Sequence, residues 1–481
     1  MDDKPRLRAV EVFPLQTEQG TMVCLRDASG MSDRVVTASP QVIVVLQLLD
    51  GEHTVLDIQT DLTRRTGSIV KSDDIRRILA VLDEALLLEN ARFEAHRAQV
   101  LKEFTESPVR AAASAGHSYP DDPKELRGFL DEILALADAD VDVAHPPPGE
   151  GASSDVAQPL APTKERPSAG AVSSDMSQVG ASALHEQQQQ SHPGAGVPHQ
   201  PHQPHQPHQP QKLHQPRKLR GLVAPHIDHV RGQKSYAAAY AALARALDAG
   251  ECADLFILLG TAHAQTSERF ALTRKDFETP LGRAKTDAGI VDALANASGQ
   301  DLFADEFVHR AEHSIELELV FVQHLCHKAR RDFRIVPILC GSYHEAMERG
   351  KSPAELPGVK EFVDALRDAL AGAKGRAVVI AGADLAHVGP RFGMPEKVTP
   401  GLLGGIERAD RASLAFVEKG DADGFAGHVA LDGNARNICG VGPIWTALKA
   451  LEPCAATLLG YEQWAEEDGS SSVTFAACTI Q

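Results

Sequence analysis

Leu222-Val-Ala-Pro-His-Ile-Asp-His229 joins a short apolar run directly to a group of ionisable side chains. The run has the composition of a buried strand, and Pro225 stops its pairing because proline has no N–H to donate. His226, Asp228 and His229 are therefore expected at the carboxyl end of a strand, where open α/β sheets carry their sites.

Two later segments repeat this arrangement. Asp254-Leu-Phe-Ile-Leu-Leu-Gly-Thr-Ala-His263 is an apolar run that ends in a histidine, and Ala377-Val-Val-Ile-Ala-Gly-Ala-Asp-Leu-Ala-His387 ends in Asp384 and His387. Since the carboxyl ends of parallel strands meet at one edge of a sheet, we expect these side chains to lie close together.

Strand and helix patterns alternate from Arg220 to the end of the chain, which indicates an α/β domain with a parallel or mixed sheet. Gly401-Leu-Leu-Gly-Gly405 is interpreted as a glycine-rich turn. The predicted strands are 219–224, 255–259, 335–339, 378–381, 456–459 and 473–477. The predicted helices are 235–247, 288–295, 315–327, 360–370, 409–417 and 441–451.

The composition excludes several classes of function. A chain of 481 residues exceeds one ordinary core, and its formal net charge of -18 gives no attraction to nucleic acid. Seven scattered cysteines without a C-x-x-C pair suit a reducing compartment. No signal peptide or membrane span is apparent, so we expect a cytoplasmic protein that contacts neither membrane nor nucleic acid.

Residues 1–105 are predicted to form a small winged-helix-like α+β domain. Loosely alternating strands precede three short helices, which are expected to begin near Ser39, Thr54 and Ser72. Carboxylates spread through every helix argue against DNA binding. Docking of a peptide or partner and a solubilising or dimerising role both remain open.

A second domain is predicted over 106–481, interrupted by an insert at 143–217. The insert is rich in Pro, Gln and His and carries a Pro-His-Gln repeat, so we expect disorder. The repeat could bind a metal weakly, but a polar linker is the simpler interpretation. Its histidines are His199, His202, His205 and His208.

The strand-end histidines form the first candidate site. Neutral imidazole is the commonest metal ligand, and His226 and His263, placed alike, could converge on one ion with His387 nearby. Asp384 could orient a ligand, move a proton or support a metal-bound histidine. Cys439 precedes a predicted helix, where a thiol has a lowered pKa and can act as a thiolate ligand or nucleophile.

His309-Arg-Ala-Glu-His313-Ser-Ile-Glu316 is the second dense cluster. H-x-x-E-H is the inverzincin signature, in which two histidines bind zinc and the glutamate activates water. The pattern is short and does not lie inside a clear helix. Glu312 and His313 are therefore interpreted as residues that line the site.

These motifs together resemble the Memo family, in the bacterial form called AmmeMemoRadiSam system protein B. The resemblance rests on five motifs that occur in the family's order and on Ser471-Ser-Val-Thr-Phe-Ala-Ala near the end. The five motifs are Ala224-Pro-His226, Gly260-Thr-Ala-His263, Glu312-His-Ser-Ile-Glu316, Ala383-Asp-Leu-Ala-His387 and Ile438-Cys-Gly440. Ile78-Leu-Ala-Val-Leu-Asp-Glu-Ala-Leu-Leu-Leu88 makes the N-terminal part similar to PqqD-like peptide-recognition domains.

The resemblance implies a three-layer α/β domain with a central mixed sheet, similar in fold to class III extradiol dioxygenases, which hold non-haem iron at strand ends. It implies a metal held by His226, His263 and Cys439. Asp384, His387, His313 and Glu312 would line the pocket. A cysteine ligand departs from the two-histidine, one-carboxylate set of ring-cleaving enzymes, so ring cleavage is not expected.

Three hypotheses follow for the function. The first is a redox enzyme in which iron or copper, or else zinc, is bound by two histidines and Cys439. This enzyme would activate O₂ or a small substrate, with His387, oriented by Asp384, moving a proton. The second is a metal- or peptide-binding adaptor beside a radical-SAM partner. The third is zinc hydrolysis through His309, Glu312 and His313.

Overall fold

The computed structural model of the chain describes residues 4–17, 20–27, 30–32, 34–139, 218–250, 254–373 and 376–481. The insert predicted at 143–217 lies outside these ranges, together with its Pro-His-Gln repeat.

The N-terminal part combines a small antiparallel sheet with helices. Thr54 begins the second helix with a capping box to Asp57, and Gly67 ends it in the left-handed conformation, as the sequence predicts. The helices pack on Val23 and Leu25 of the sheet. The elements are β1 (Val10–Thr17), β2 (Gly20–Asp27), β3 (Val35–Ala38), α1 (Val42–Leu46), α2 (Val55–Thr66), α3 (Ser72–Glu84) and α4 (Ala91–Glu106).

The small α+β character of this part is confirmed, whereas its resemblance to PqqD-like domains stays a prediction. Helix α4 is absent from the sequence prediction. Its side chain Phe104 packs edge-to-face on Phe307, with ring centroids 5.4 Å apart. Lys275 also donates to the carbonyl of Ser107, immediately after the helix, at 2.6 Å. The helix therefore anchors the N-terminal part to the rest of the chain.

The remaining elements alternate between strands and helices as predicted. The first half comprises β4 (Val109–Arg110), α5 (Pro123–Ala139), β5 (Gly221–Ala224), α6 (Gln233–Asp248), β6 (Leu255–Thr261), β7 (Phe270–Leu272), β8 (Asp276–Thr279), β9 (Gly282–Thr286), α7 (Ala288–Ser298) and α8 (Glu316–Lys328). The second half comprises β10 (Arg334–Cys340), α9 (His344–Glu348), α10 (Val359–Gly372), β11 (Ala377–Gly382), β12 (Asp384–Val388), α11 (Pro400–Glu418), α12 (Ala422–Ala430), α13 (Val441–Leu451), β13 (Ala456–Ala465) and β14 (Ser472–Ile480).

These strands form one mixed sheet of 11 strands in the order β12-β14-β5-β11-β6-β10-β9-β8-β4, with β13 paired to β14 and β7 to β10. The central strands β5, β11, β6 and β10 run parallel, while β14 is antiparallel to β5. Along β6, Ile257 packs with α7, α10 and α13 on one face, whereas Phe256 packs with α5, α6 and α8 on the other. The predicted three-layer α/β fold with a central mixed sheet is confirmed.

Two parts of the sequence interpretation are corrected. Gly401 to Gly405 lies within the long helix α11 rather than in a turn. The Thr399 side chain caps that helix by accepting from Leu402 N, and Pro400 occupies its first turn. The short strands β7, β8 and β9 were not predicted, because they are too brief to show a clear alternation.

No helix among the residues described here is both long and apolar enough to cross a membrane.

The parallel register brings the ends of three strands side by side. Gly382 pairs with Ala224 of β5, and Ala381 pairs with Leu259 of β6, so Gly260 is the next neighbour of Gly382. The turn before α8 lies directly on these two glycines. A Cβ at Gly260 would lie 2.5 Å from the Ser314 hydroxyl, and one at Gly382 would lie 2.5 Å from the Ser314 carbonyl oxygen.

Replacing Gly382 with alanine should destabilise the protein, because the added methyl group meets backbone that cannot move without separating the turn from the sheet. We expect Gly382→Ala to lower the free energy of unfolding by about 1–3 kcal/mol, measured by urea denaturation. Gly460→Ala is the matched control, since Gly460 also lies in a strand and a Cβ there meets no atom within 4 Å. Equal stability of the two variants would contradict the close approach.

Candidate metal centre

His226 follows β5 and is held by two partners from the neighbouring strand region. Its Nδ1 lies 2.9 Å from the carbonyl oxygen of Gly382, and its backbone N–H donates to Asp384 Oδ1 at 2.9 Å. A carbonyl oxygen can only accept a hydrogen bond, so Nδ1 keeps its proton. Nε2 is therefore the nitrogen that can bind an ion.

His263 follows β6 and is held by a carboxylate. Its Nδ1 lies 3.0–3.1 Å from the two oxygens of Glu312, and its backbone N–H donates to Glu312 Oε2 at 3.1 Å. The Nδ1 of His263 is therefore a donor to this carboxylate, and its Nε2 is available to bind an ion. The side chains of His263 and His313 are 38% and 41% exposed, so the site opens to solvent on the side of these two rings.

His313 comes from the turn that lies on the two glycines. Its backbone N–H and that of Ser314 donate to Glu312 Oε1 at 2.9 and 3.0 Å, so one carboxylate holds both His263 and the turn of His313. One nitrogen of each of His226, His263 and His313 lies within 4.8 Å of the others. The structure therefore brings three imidazoles together as a group that could hold a metal ion.

Cys439 completes the cluster from the loop before α13. Its Sγ lies 3.3 Å from His226 Nε2. The loop is held by a hydrogen bond from Asn437 Nδ2 to the carbonyl oxygen of His387 and by a buried ion pair between Arg436 and Asp410. Bonds of about 2.0–2.1 Å to nitrogen and 2.3 Å to sulfur place two ligands of one tetrahedral ion about 3.5 Å apart, close to this separation.

The charges around the site favour a thiolate beside a protonated imidazole. Burial favours the neutral thiol, but the charges of His226 and His387 lower the pKa of Cys439 to about 5. Burial likewise opposes a charged ring, yet Asp384 and Cys439 raise the pKa of His226 to about 9. A cation bound here would take the place of the proton shared between these two groups.

Glu312 and His313 differ from this pair, because the carboxylate is ionised while the imidazole is neutral. Burial disfavours the Glu312 carboxylate, but His263 keeps its pKa well below the usual range, so it is ionised. Burial lowers the pKa of His313 to about 4, with the neighbouring imidazoles of His263 and His226 acting in the same direction. His313 is therefore neutral at physiological pH and presents a lone pair.

Most of the residues expected at the site lie in or beside this cluster. They are His226, His263, His313, Glu312, Asp384 and Cys439. The charge of His387 helps to lower the pKa of Cys439. The Nδ1 of His387 lies 3.1 Å from the carbonyl oxygen of Leu385. Asp384 does not orient His387 as expected, because its carboxylate accepts from the backbone of His226 and Ile227 instead.

His309 does not belong to the cluster, which corrects the zinc-hydrolase hypothesis. It is buried in a 3₁₀ turn, Glu306–Arg310, and its Nε2 pairs with the carbonyl oxygen of Ala271 at 3.0 Å. His229 is likewise a core residue, whose Nε2 pairs with the carbonyl oxygen of Leu317. The H-x-x-E-H pattern fails because this segment is a turn, in which the two histidines face different ways.

Arg110 is a positioning residue that the sequence did not reveal. Its buried guanidinium donates to the carbonyl oxygens of His309 and Glu312 at 2.8 and 2.7 Å and pairs with the Glu316 carboxylate. Glu316 also accepts from Ala113 N at 2.9 Å. Since these partners lie about two hundred residues apart in the chain, no local pattern could have indicated the contact.

Comparison with known proteins supports one family. A family model described as Memo-like protein matches residues 201–479, more than half of the chain. A MEMO1 family protein of Aquifex aeolicus is 22% identical over 397 residues, covering 82% of this chain and 79% of the relative. MEMO1 family protein TTHA0924 of Thermus thermophilus is 25% identical over 411 residues, covering 85% and 93%.

Among solved structures, the uncharacterized protein JW3007 of Escherichia coli K12 covers 55% of this chain and 100% of its own, at 12% identity. The TM-score is 0.31. Similarity in fold to class III extradiol dioxygenases stays a prediction. The family match spans His226, His263, His313 and Cys439, the residues that form the cluster. The chain belongs to the Memo family.

Proposed function

We propose that this protein is a metal-dependent redox enzyme whose ion is held by His226, His263, His313 and Cys439. One observation carries the proposal: three imidazole nitrogens lie within 4.8 Å of one another, and the Cys439 sulfur lies 3.3 Å from one of them. His313 joins the two histidines and the cysteine inferred from the sequence.

The donor set supports iron or copper, with zinc as the redox-inactive alternative. Imidazole suits all three metals, and thiolate adds a soft donor of the kind found with histidine at copper electron-transfer sites. When bound, such an ion would supply one-electron chemistry toward O₂ or a small substrate. The other groups of the site would orient the metal ligands and transfer protons.

The surrounding residues have separate roles. Gly382 O and the Glu312 carboxylate hold the rings of His226 and His263 so that each presents Nε2. His387 is the proposed proton donor or acceptor, because its Nδ1 is engaged by Leu385 O and its Nε2 is the nitrogen left to exchange a proton. Asp384 supports His226 through the backbone.

Zinc hydrolysis is the less favoured chemistry. Both oxygens of Glu312 already accept hydrogen bonds from His263, and one also accepts from Ser314 N. A general base needs a free oxygen facing water. An adaptor role beside a radical-SAM protein is the alternative that remains if the bound metal supports no redox chemistry.

Metal content should show whether the ion is bound by the cluster of three histidines and Cys439 or by the H-x-x-E-H segment. In full-length protein purified without a histidine tag, we expect His313→Ala and Cys439→Ser to lose stoichiometric metal, because each removes a ligand. His309→Ala, four residues from His313, is the matched control and should keep it. Glu312→Gln should retain metal with about 10- to 100-fold weaker affinity. Inductively coupled plasma mass spectrometry measures the content.

A His309→Ala variant that empties the site would instead favour hydrolysis. Replacing His199, His202, His205 and His208 with glutamine tests the Pro-His-Gln repeat. If that variant alone loses its metal, the strand-end site is not the metal centre.

The pH dependence of Cys439 alkylation should show whether this side chain is ionised to the thiolate. Because its pKa is lowered to about 5, the thiolate is present above that pH, and iodoacetamide labelling of metal-free protein should be half-maximal near pH 5. His226→Ala should move the midpoint upward, since the imidazole charge stabilises the thiolate. Metal should protect Cys439, measured by peptide mass spectrometry. Labelling unaffected by metal would contradict thiolate ligation.

Oxygen consumption should distinguish the enzyme from the adaptor. Protein loaded with iron or copper and reduced anaerobically should consume O₂, and His387→Gln should slow this about 10²- to 10⁴-fold while keeping the metal. His53→Gln, in the N-terminal part, is the control. An oxygen electrode and a peroxide assay measure the rate. Stoichiometric metal without O₂ consumption would contradict the redox proposal.

A further inference from the structure

A cleft of about 1180 Å³ opens at the amino ends of the central parallel strands. It is lined by Leu255, the first residue of β6, and by Arg334, the first residue of β10, whereas His263 follows the carboxyl end of β6. Of its described lining residues, none belongs to the cluster of three histidines and Cys439. The cleft is therefore a second candidate site, which the proposed function does not use.

The floor of the cleft is cationic. Lys285 of β9 and Arg334 of β10 are partners in the parallel ladder between these strands, so their side chains lie side by side on one face of the sheet. Ala284 and Ile335, the adjacent residues of the two strands, pack in the core on the opposite face. Arg283 precedes Lys285 by two residues and shares its face. Three cations thus line the cleft at the start of the sheet.

Two of these cations lack a counter-ion in the part of the chain that the structure describes. Like charges at opposite positions of neighbouring strands repel each other. Arg283 is opposite Glu278 of β8, which offsets its charge. Lys285 and Arg334 are exposed, and neither side chain makes a hydrogen bond or ion pair with a described residue. An anion bound between them would remove this repulsion.

The carboxylates that line the cleft do not cancel its positive charge. Asp254 is paired with Arg376 at 2.7 Å, and Asp287 caps α7 by accepting from Ile290 N at 3.2 Å. The described lining has one positive charge more than negative, although the chain as a whole carries a net charge of -18. Its charged residues are Arg283, Lys285, Arg331, Arg334 and Arg376 with Asp254, Asp287, Asp332 and Asp368.

The walls of the cleft are apolar and come from two helices. Ile290 and Ala293 line it from α7, and Ala365 and Ala369 line it from α10. Pockets for drug-sized ligands measure about 300–1,000 Å³, so a cleft of about 1180 Å³ has room for a molecule as large as a nucleotide. A cationic floor between apolar walls suits a ligand that has an anionic end and an apolar or planar body.

We propose that this cleft binds a small organic phosphate, with the phosphate between Lys285 and Arg334 and the body between α7 and α10. Arginine presents a fork of N–H donors that matches phosphate oxygens, and lysine adds a compact charge. A phosphate monoester carries close to two negative charges at neutral pH and compensates both cations, whereas one carboxylate compensates only one. A nucleic acid is disfavoured, because the net charge of -18 repels a long polyanion.

AMP, adenosine and inorganic phosphate test the two parts of this site. In isothermal titration calorimetry on full-length, metal-free protein at low salt, we expect AMP to bind at least about tenfold more tightly than either of the others. Adenosine lacks the charge, and inorganic phosphate lacks the body. Adenosine binding as tightly as AMP would contradict the role of the cations, and inorganic phosphate binding as tightly would contradict the role of the apolar walls.

Variants locate the bound AMP. Lys285→Gln and Arg334→Gln should each weaken AMP binding about tenfold or more, because each removes a charged partner of the phosphate. Lys124→Gln, an exposed cation outside the lining, is the matched control. Ala293→Trp should abolish binding by filling the cleft from an exposed position on α7. Ala297→Trp, one turn further along α7 and outside the lining, should not.

Three results would overturn the proposal. The first is that AMP does not bind, and the second is that it binds equally to Lys285→Gln, Arg334→Gln and Ala293→Trp. The third is that a uridine hexanucleotide binds more tightly than AMP and is weakened by the same variants, which would make single-stranded RNA the occupant. Circular dichroism checks that each variant is folded. None of these variants changes a residue of the metal centre, so the proposed function is tested separately.

Discussion

The close approach of one turn to two strand-end glycines determines the geometry of the whole site. Gly260 and Gly382 lie on adjacent parallel strands, and their missing side chains leave the space that Ser314 occupies. Ser314 also donates to the carbonyl oxygen of Thr261 at 3.0 Å. This contact places His313 next to the two strand-end histidines, so an imidazole from a turn meets imidazoles from the sheet.

Two buried carboxylates, those of Glu312 and Asp384, hold these histidines in defined positions. Glu312 binds the ring and backbone of His263 and the backbone of the following turn, while Asp384 binds the backbone of His226. A buried carboxylate is costly unless its oxygens are satisfied, and here backbone N–H groups and imidazoles satisfy them. Glu312 also commits the Nδ1 of His263, whereas the carbonyl oxygen of Gly382 commits that of His226, and both rings therefore direct Nε2 inward. At His263, therefore, one carboxylate both carries the buried charge and orients the ring.

Much of the fold follows from local patterns. Apolar runs ended by Pro225, Gly260 and Asp384 predict buried strands, and the alternation with helices predicts the three-layer mixed sheet that the structure has. Local patterns fail where tertiary packing overrides propensity. Gly401 to Gly405 is helical because Thr399 caps the segment and Leu402 and Ile406 pack against the sheet at Val388. The short strands β7, β8 and β9 depend on their neighbours.

The sequence by itself indicated most of the side chains that the structure brings together, because histidine, cysteine and acidic side chains cluster at strand ends and in a few ordered motifs. Only the tertiary structure decided how these side chains are arranged. It places a nitrogen of His313 as close to His226 and His263 as these two are to each other, within 4.8 Å. It also shows that Asp384 accepts a hydrogen bond from the backbone of His226 instead of orienting His387, and that His309 lies outside the cluster. It also placed Arg110 behind the turn of His313. These contacts join residues far apart in the chain, and the direction of each side chain depends on packing that no local pattern encodes.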